Sequence, residues 1–232
     1  LRIVDGDGLR ALEPASGGVA ALHVPGTAVV NFAQVARVLA ADVADLGGTL
    51  TLRAPVRAVH GGDGGAVVEL ASGERHPARL AVACAGLQSD RLAATSGATR
   101  TDLRIVPFRG SYFTLSQRAA SLVRSMIYPV PDPGLPFLGV HFTRHVDDSV
   151  SCGPNAVLAP SRERYRRVAL NPRDLWDTVR FPGTRRLARG HLSTGLREAV
   201  LDLSRGRYHR SARRYLPGLA VDDLLPGASG VR

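Results

Sequence analysis

Lysine is absent from this chain. All 30 basic residues are arginine, set against 20 acidic ones, so the formal net charge is +10 and the pI about 11.0. Such a surplus suits a nucleic-acid or anionic-membrane partner. An arginine-only surplus, however, reads as the usage bias of a GC-rich genome. The arginines are also not interleaved with aromatics along one groove, as single-strand binders arrange them. They are spread, with local density at 162–167, 185–189 and 205–214, and read as solvated helix faces. No nucleic-acid partner is expected, while an acidic small substrate suits the balance. Cysteine is scarce too. Cys84 and Cys152 lie far apart in apolar, strand-like runs, which makes neither a disulfide framework nor a zinc motif. Two buried, reduced thiols in a cytoplasmic protein are expected, and no metal. No apolar run approaches the roughly 20 residues needed to span a bilayer. A basic start followed by an apolar core, the mark of a secretory signal, is missing. The chain opens at Leu1 without Met and stops in mid-pattern at Gly230-Val231-Arg232, so it reads as a fragment of a longer protein.

What is present is enough for a sizeable core. The 232 residues are 44% hydrophobic and 22% charged, ordinary for globular chains. From Val30 to Leu46 the apolar residues Val35, Val38, Leu39, Val43 and Leu46 keep to one helical face, and Gly47-Gly48 closes the segment. TLTLRAPVRAV then reads as a strand with a proline interruption, and GGDGG as a turn. AVVELASGERHPARLAVACAG follows as a hairpin plus a third, fully apolar strand from Leu80 to Ala85. Ser89-Asp90 reads as the cap of a short helix. This order suits part of a parallel α/β sheet with a small β excursion. From Ile105 the character changes to short β-type runs, RIVPFRGSYFTL, MIYPVP, FLGVHFT and DSVSCG. Pro172 to Leu224 turns helical, and 225–232 reads as a Pro/Gly loop.

Four constellations carry chemistry. In ACAGLQSDRLA a strand runs into a glycine turn and a helix start. That is where open α/β sheets place ligands, and it is equally an ordinary tight turn. FRGSYF sets Arg109 and Tyr112 three apart. On a regular strand they lie on opposite faces, and a bulge at Gly110 would bring them together. Arg109 offers a fork matched to a carboxylate, or a salt bridge. In IYPVPDPGLPFLGVHF, Tyr128 sits at a strand start and His141 on an otherwise apolar strand. His141 reads either as a hydrogen-bonded core histidine or as a general base near neutral pH. His145, beside Asp147-Asp148, reads as structural. Asn155 in CGPNAVLA either holds its turn or orients substrate or its neighbours.

RIVPFRG, YPVPDP, PFLGVHFT and GPNAVLA, in this order, resemble the substrate domain of the L-2-hydroxyglutarate oxidases and dehydrogenases. These are FAD enzymes of the D-amino-acid-oxidase-like superfamily. HVPGTAVVNFAQVA is similar to the segment with which that family re-enters its FAD domain. The resemblance implies an α/β protein: a partial Rossmann-like FAD domain and an α+β substrate domain with an antiparallel sheet and helices. It assigns 1–25 and 105–225 to the substrate domain, 26–104 to the FAD domain, and 226–232 to the start of the return. It implies FAD beside Val56, Ala85 and Gly86. Around a dicarboxylate substrate it implies His141 as base, Tyr112 and Tyr128 as hydroxyl donors, Asn155 as an orienting group, and Arg109 and Arg232 as carboxylate anchors. The activity implied is oxidation of L-2-hydroxyglutarate to 2-oxoglutarate, with oxygen or a quinone as electron acceptor. The location implied is cytoplasmic, or peripheral at the inner membrane. Oxidation of an amino acid or glycerol phosphate is the alternative within the superfamily. A non-enzymatic arginine-rich binding module is the alternative outside it. The G-x-G-x-x-G loop and ribose-binding acid of the nucleotide fold have no counterpart in the chain.

Overall fold

Alternation is cleanest from Phe108 to Leu115, and that strand organises the largest sheet. The computed structural model describes residues 1–62, 64–98, 102–131, 139–165 and 169–232, with backbone alone at 192–194 and 196–197. Asp63 of the GGDGG turn, residues 132–138 at the end of YPVPDP and the start of PFLGVHFT, and 166–167 of the first arginine cluster lie outside the described residues.

The chain begins with β1 (Arg2–Asp5), α1 (Gly6–Leu12) and β2 (Ala20–His23), where β1 pairs antiparallel with β2. The long helix α2 (Phe32–Asp45) follows. Asn31 caps it by accepting from the Gln34 N–H at 3.2 Å, and Gly47 ends it at φ +81°. The predicted apolar stripe is there, yet α2 buries no residue: Val38, Leu39 and Leu46 are all exposed. Next come β3 (Val56–Gly62), β4 (Gly65–Leu70) and β5 (Arg75–Ala78), an antiparallel sheet in that order. Helix α3 (Ser89–Thr95) docks on β3, with Ser96 Oγ accepting from the Val59 N–H at 2.8 Å.

Three expectations fail in this stretch. The run 80–85 joins no sheet among the described residues, and Leu80 and Val82 are each 77% exposed. A central strand is made by its neighbours' hydrogen bonds, and no described strand offers them. Cys84, expected inside that strand, is therefore exposed, while Cys152 is buried. Finally, neither Ser89 nor Asp90 caps α3, whose start has no side-chain cap.

The second half is built on β6 (Phe108–Leu115), followed by α4 (Gln117–Ala120), β7 (Met126–Ile127), β8 (His141–Arg144), β9 (Val150–Gly153) and β10 (Val157–Leu158). Three helices follow: α5 (Pro172–Arg180), α6 (Pro182–Leu203), kinked at His191 after Gly190, and α7 (Arg205–Ala212). The expected terminal loop is instead a strand, β11 (Leu224–Val231). It pairs with β6 along its length and takes up its Pro and Gly in a bulge between Pro226 and Ser229. The six strands lie in the order β10-β6-β9-β8-β7, with β11 on β6. One face carries the core. Phe113, Cys152 and Phe142 are direct cross-strand partners, packed with Val123, Tyr208 and Leu216. The Phe113 and Tyr208 rings lie 4.7 Å apart and tilted by 58°. The fold is a mixed helix-and-sheet α/β architecture, and every described strand pair is antiparallel.

Candidate active site

A second row of residues crosses the same sheet one position along, and so on its other face. Because Ile127 pairs with Phe142 and Phe113 with Cys152, the next positions in register are Tyr128, His141, Gly153 and Tyr112, on β7's end, β8, β9 and β6. Side chains alternate along a strand, so a core row implies a neighbouring row that faces away. The Tyr128 and His141 rings stack at 4.3 Å and 18°. Glycine between His141 and Tyr112 allows the Tyr112 ring to pack closely on the β9 backbone. A Cβ at Gly153 would lie 2.8 Å from Tyr112 Cδ1 and 3.0 Å from the Ser111 carbonyl, at φ +153°. Gly153→Ala in the full-length protein is expected to destabilise it by about 1–3 kcal/mol by overpacking and strain. Urea unfolding of the two proteins checks this, and an unchanged midpoint would contradict the crowding described.

His141 is 8% exposed. Its Nδ1 lies 3.2 Å from the Gly139 carbonyl, which can only accept, so Nδ1 carries the proton and Nε2 is left as an acceptor. Burial depresses its pKa, the Gly139 bond opposes that, and the Arg232 charge adds to the depression. Burial likewise raises the Tyr112 hydroxyl, with Arg232 lowering it and Tyr128 raising it. Arg232 continues β11, its backbone exchanging two bonds with Phe108 at 2.8 and 2.9 Å. Four predicted residues, His141, Tyr112, Tyr128 and Arg232, thus act on one another electrostatically or by contact.

Arg109 and Asn155 belong elsewhere. No bulge forms at Gly110, so strand parity puts Arg109 on the core face with Ser111 and Phe113. There it is 5% exposed and bonds Asp202 of α6 at 2.5 Å. Asn155 is buried with it, accepting from the Ser111 N–H and donating to Asp202, both at 2.9 Å. Asn155 orients its neighbours and holds its turn. Sequence reasoning missed the partner Asp202, because nothing in the polar and apolar pattern of α6 marks one aspartate as buried.

The segments that the resemblance gives to FAD lie in the first half. Val56 opens β3 and is 43% exposed. Ala85 and Gly86 lead into α3, Gly86 at φ +51° with open space where a Cβ would stand. An open cleft of about 640 Å³ lies between β3–β4 and α3, lined by Val59, Gly65, Leu80, Ala83 and Leu92 among others, and none of Val56, Ala85 and Gly86 lines it. The small, apolar residues of this cleft fit the flat rings of a flavin nucleotide. A phosphate cradle is not among them. Gly6-Asp7-Gly8 does follow a strand and open a helix, but β1 pairs antiparallel with β2. The Asp5 carboxylate already occupies the Gly8 N–H at 2.8 Å, so this is no dinucleotide loop.

The family profile described as "DAO: FAD dependent oxidoreductase" matches residues 1–232. The L-2-hydroxyglutarate dehydrogenase of Indibacter alkaliphilus is 37% identical over 226 residues, 97% of this chain and 56% of that protein. The mitochondrial L-2-hydroxyglutarate dehydrogenase of Nematostella vectensis is 40% identical over 245 residues, 100% of this chain and 54% of that protein. The chain thus spans about half the length of the curated relatives it matches. Among solved structures, the FAD-bound L-alpha-glycerophosphate oxidase of Mycoplasma pneumoniae superposes with a TM-score of 0.69 at 17% identity, over 100% of this chain and 52% of that one.

Proposed function

The chain belongs to the DAO family of FAD dependent oxidoreductases, and from that premise we propose that the whole protein oxidises a 2-hydroxy acid, foremost L-2-hydroxyglutarate, to the 2-oxo acid. The relatives' names support the substrate. The observation that carries the chemistry is His141, a buried imidazole whose Nδ1 is committed to Gly139 and whose Nε2 has no hydrogen-bond partner among the described residues. Residues 26–104 are read as part of the FAD-binding domain, 1–25 and 105–225 as the substrate domain, and 226–232 as the return. The uncovered apolar face of α2 and the exposed run 80–82 suit that division.

Val56, Ala85 and Gly86 would border FAD, which when bound supplies the acceptor for the hydride leaving C2. His141 Nε2 takes the substrate's hydroxyl proton. Tyr128, stacked on the imidazole, fixes its plane. The Tyr112 hydroxyl, raised by burial, stays protonated at neutral pH and donates to a substrate oxygen. Arg232 pairs with the carboxylate beside C2. Arg109, held by Asp202, is not a second anchor. The electron acceptor is oxygen or a quinone. No helix among the described residues is long and apolar enough to cross a membrane.

The test is anaerobic addition of L-2-hydroxyglutarate to the full-length protein, read at the flavin band. Bleaching supports the reading. A band that persists with this substrate but bleaches with glycine or glycerol phosphate would replace it. That second reading has one observation in its favour: Arg232 is the only arginine whose charge is felt at His141 and Tyr112 among the described residues, so one carboxylate is accounted for.

A pH profile follows from the base. His141 works unprotonated and is held below the ordinary histidine value. The limiting rate of flavin reduction should therefore rise with pH through a midpoint below about 6.5 and be level, for this group, by pH 7–8. Arg232→Met removes a charge that depresses the imidazole, so the midpoint should move up. Substrate affinity should fall about 10- to 100-fold, the loss of one charged hydrogen bond. A midpoint that stays put in Arg232→Met would separate the arginine from the base.

A further inference from the structure

The ion pairs that join the two halves converge on Arg162. Its side chain is 2% exposed, among the largest fully buried ones in the protein. The guanidinium bonds both Asp90 oxygens, at 2.5 and 2.9 Å, and also the Leu87 carbonyl at 2.5 Å and the Ile105 carbonyl at 3.0 Å. Asp90 in turn accepts the Ile105 N–H at 3.0 Å. Around this centre Arg91 pairs with Asp177 at 2.6 Å and Asp174 at 2.8 Å, and Gln88 donates to Glu163 at 2.5 Å. Burial alone would raise the Asp90 carboxyl, but the Arg162 guanidinium and the Ile105 N–H override it and hold it at about 2.

The connections are specific. Leu87 lies within the 3-10 turn Gly86–Gln88, and Asp90 within α3. Ile105 lies just before β6, the strand that carries Tyr112, and Arg162 follows β10, which pairs with β6. One planar group therefore fixes the Gly86 turn, in distance and in orientation, to the strand bearing the candidate site. A buried ion pair is weak evidence for stability, since apolar side chains of similar size pack as well. What apolar packing lacks is direction, and a guanidinium fork supplies it.

We infer that Arg162 is a positioning residue: acting through Asp90 and the Leu87 carbonyl, it sets how closely the Gly86 turn, and the flavin beside it, approach the His141–Tyr112 row. The inference rests on the reading that the Gly86 turn borders the flavin. Hydride transfer demands near-contact geometry, and a misplacement of about 1 Å lowers rates about 10²-fold. Arg162→Met in the full-length protein should keep stoichiometric FAD and a substrate dissociation constant within about 2-fold, while the limiting rate of flavin reduction falls about 10- to 100-fold. Arg162→Lys, a charge without the fork, should fall less. It is also the variant to read, per bound flavin, if Arg162→Met does not fold. Asp90→Asn should slow reduction similarly, and the double variant should be no slower than the slower single one, because both break one unit. Amide hydrogen exchange gives a readout apart from activity: residues 86–92 should exchange faster in each variant, with the β6–β9 amides unchanged.

Faster exchange at 86–92 together with slower reduction supports the inference. Faster exchange with an unchanged reduction rate would make Arg162 merely structural, and slower reduction with unchanged exchange would mean it acts by another route; both overturn the inference. A wild-type protein that holds no flavin would overturn the cofactor reading and the positioning role with it, whereas the exchange result would still show whether Arg162 holds the turn.

Discussion

Replacing His141 with alanine in the full-length protein is expected to slow flavin reduction by about 10²- to 10⁴-fold, the range for loss of a general base. Geometry makes the assignment specific. Nδ1 is spent on Gly139, so the ring presents Nε2 as acceptor, with no acid partner to hold its tautomer among the described residues. Gly153, paired with His141 on β9, lets the Tyr112 ring approach the strand backbone closely. His141→Asn keeps a donor near the Gly139 carbonyl but has no basic nitrogen, so it should be about as slow as alanine. FAD content should stay near that of the wild type in both. Because the loss is in proton removal, substrate affinity should change little, and the low-pH limb should vanish from the residual rate. Stopped-flow reduction under anaerobic conditions measures all of this. A reduction rate within a few-fold of wild type would remove His141 from the mechanism and return it to the other reading of a histidine on an apolar strand, a hydrogen-bonded core residue.

The second large effect is on stability. Asp202→Ala should destabilise the protein by about 3–5 kcal/mol, because it leaves the Arg109 charge buried without this carboxylate. It also takes the acceptor from Asn155 Nδ2. Arg109→Met alone should destabilise comparably, because the Asp202 carboxylate then lacks this guanidinium. The double variant Arg109→Met, Asp202→Leu should regain most of the loss, since well-packed apolar residues often replace a buried pair at little penalty. Urea unfolding of the four proteins closes the cycle. A carboxylate anchor behaves differently: its removal would weaken substrate binding and leave the unfolding midpoint alone. That outcome for Arg109→Met would reinstate Arg109 as an anchor and refute the structural role given by its burial.

Much of this protein was legible from residue order alone. Apolar spacing marked α2 within two residues of its start. Turn residues marked the β3–β4–β5 hairpins, and the short runs after Ile105 marked β6 to β9. Strand parity set Arg109 and Tyr112 of FRGSYF on opposite faces of a regular strand, and only the structure excluded the bulge at Gly110 that would have joined them. The motifs carried the family. These are local properties: periodicity, turn chemistry and short-range pattern act within one segment.

Register and partnership are not local. That Tyr128, His141, Gly153 and Tyr112 form one row depends on how four strands line up, and a slip of one residue would have scattered them over both faces. Arg109 was read as an anchor because an arginine's forked chemistry suits a substrate carboxylate and a buried aspartate equally well; only the packing of α6 decided for Asp202. The run 80–85 has the composition of a central strand and is none here, because a strand exists through its neighbours' hydrogen bonds. Residues 225–232 went the other way: a Pro/Gly loop by composition, they form a strand because β6 offers an edge and a bulge absorbs the misfit. The sequence by itself determined the helical, turn and strand character of most segments and the family they belong to. The tertiary structure alone decided which charges are neutralised in the interior and which side chains meet on the open face, because burial and contact are set by the pairing of distant segments.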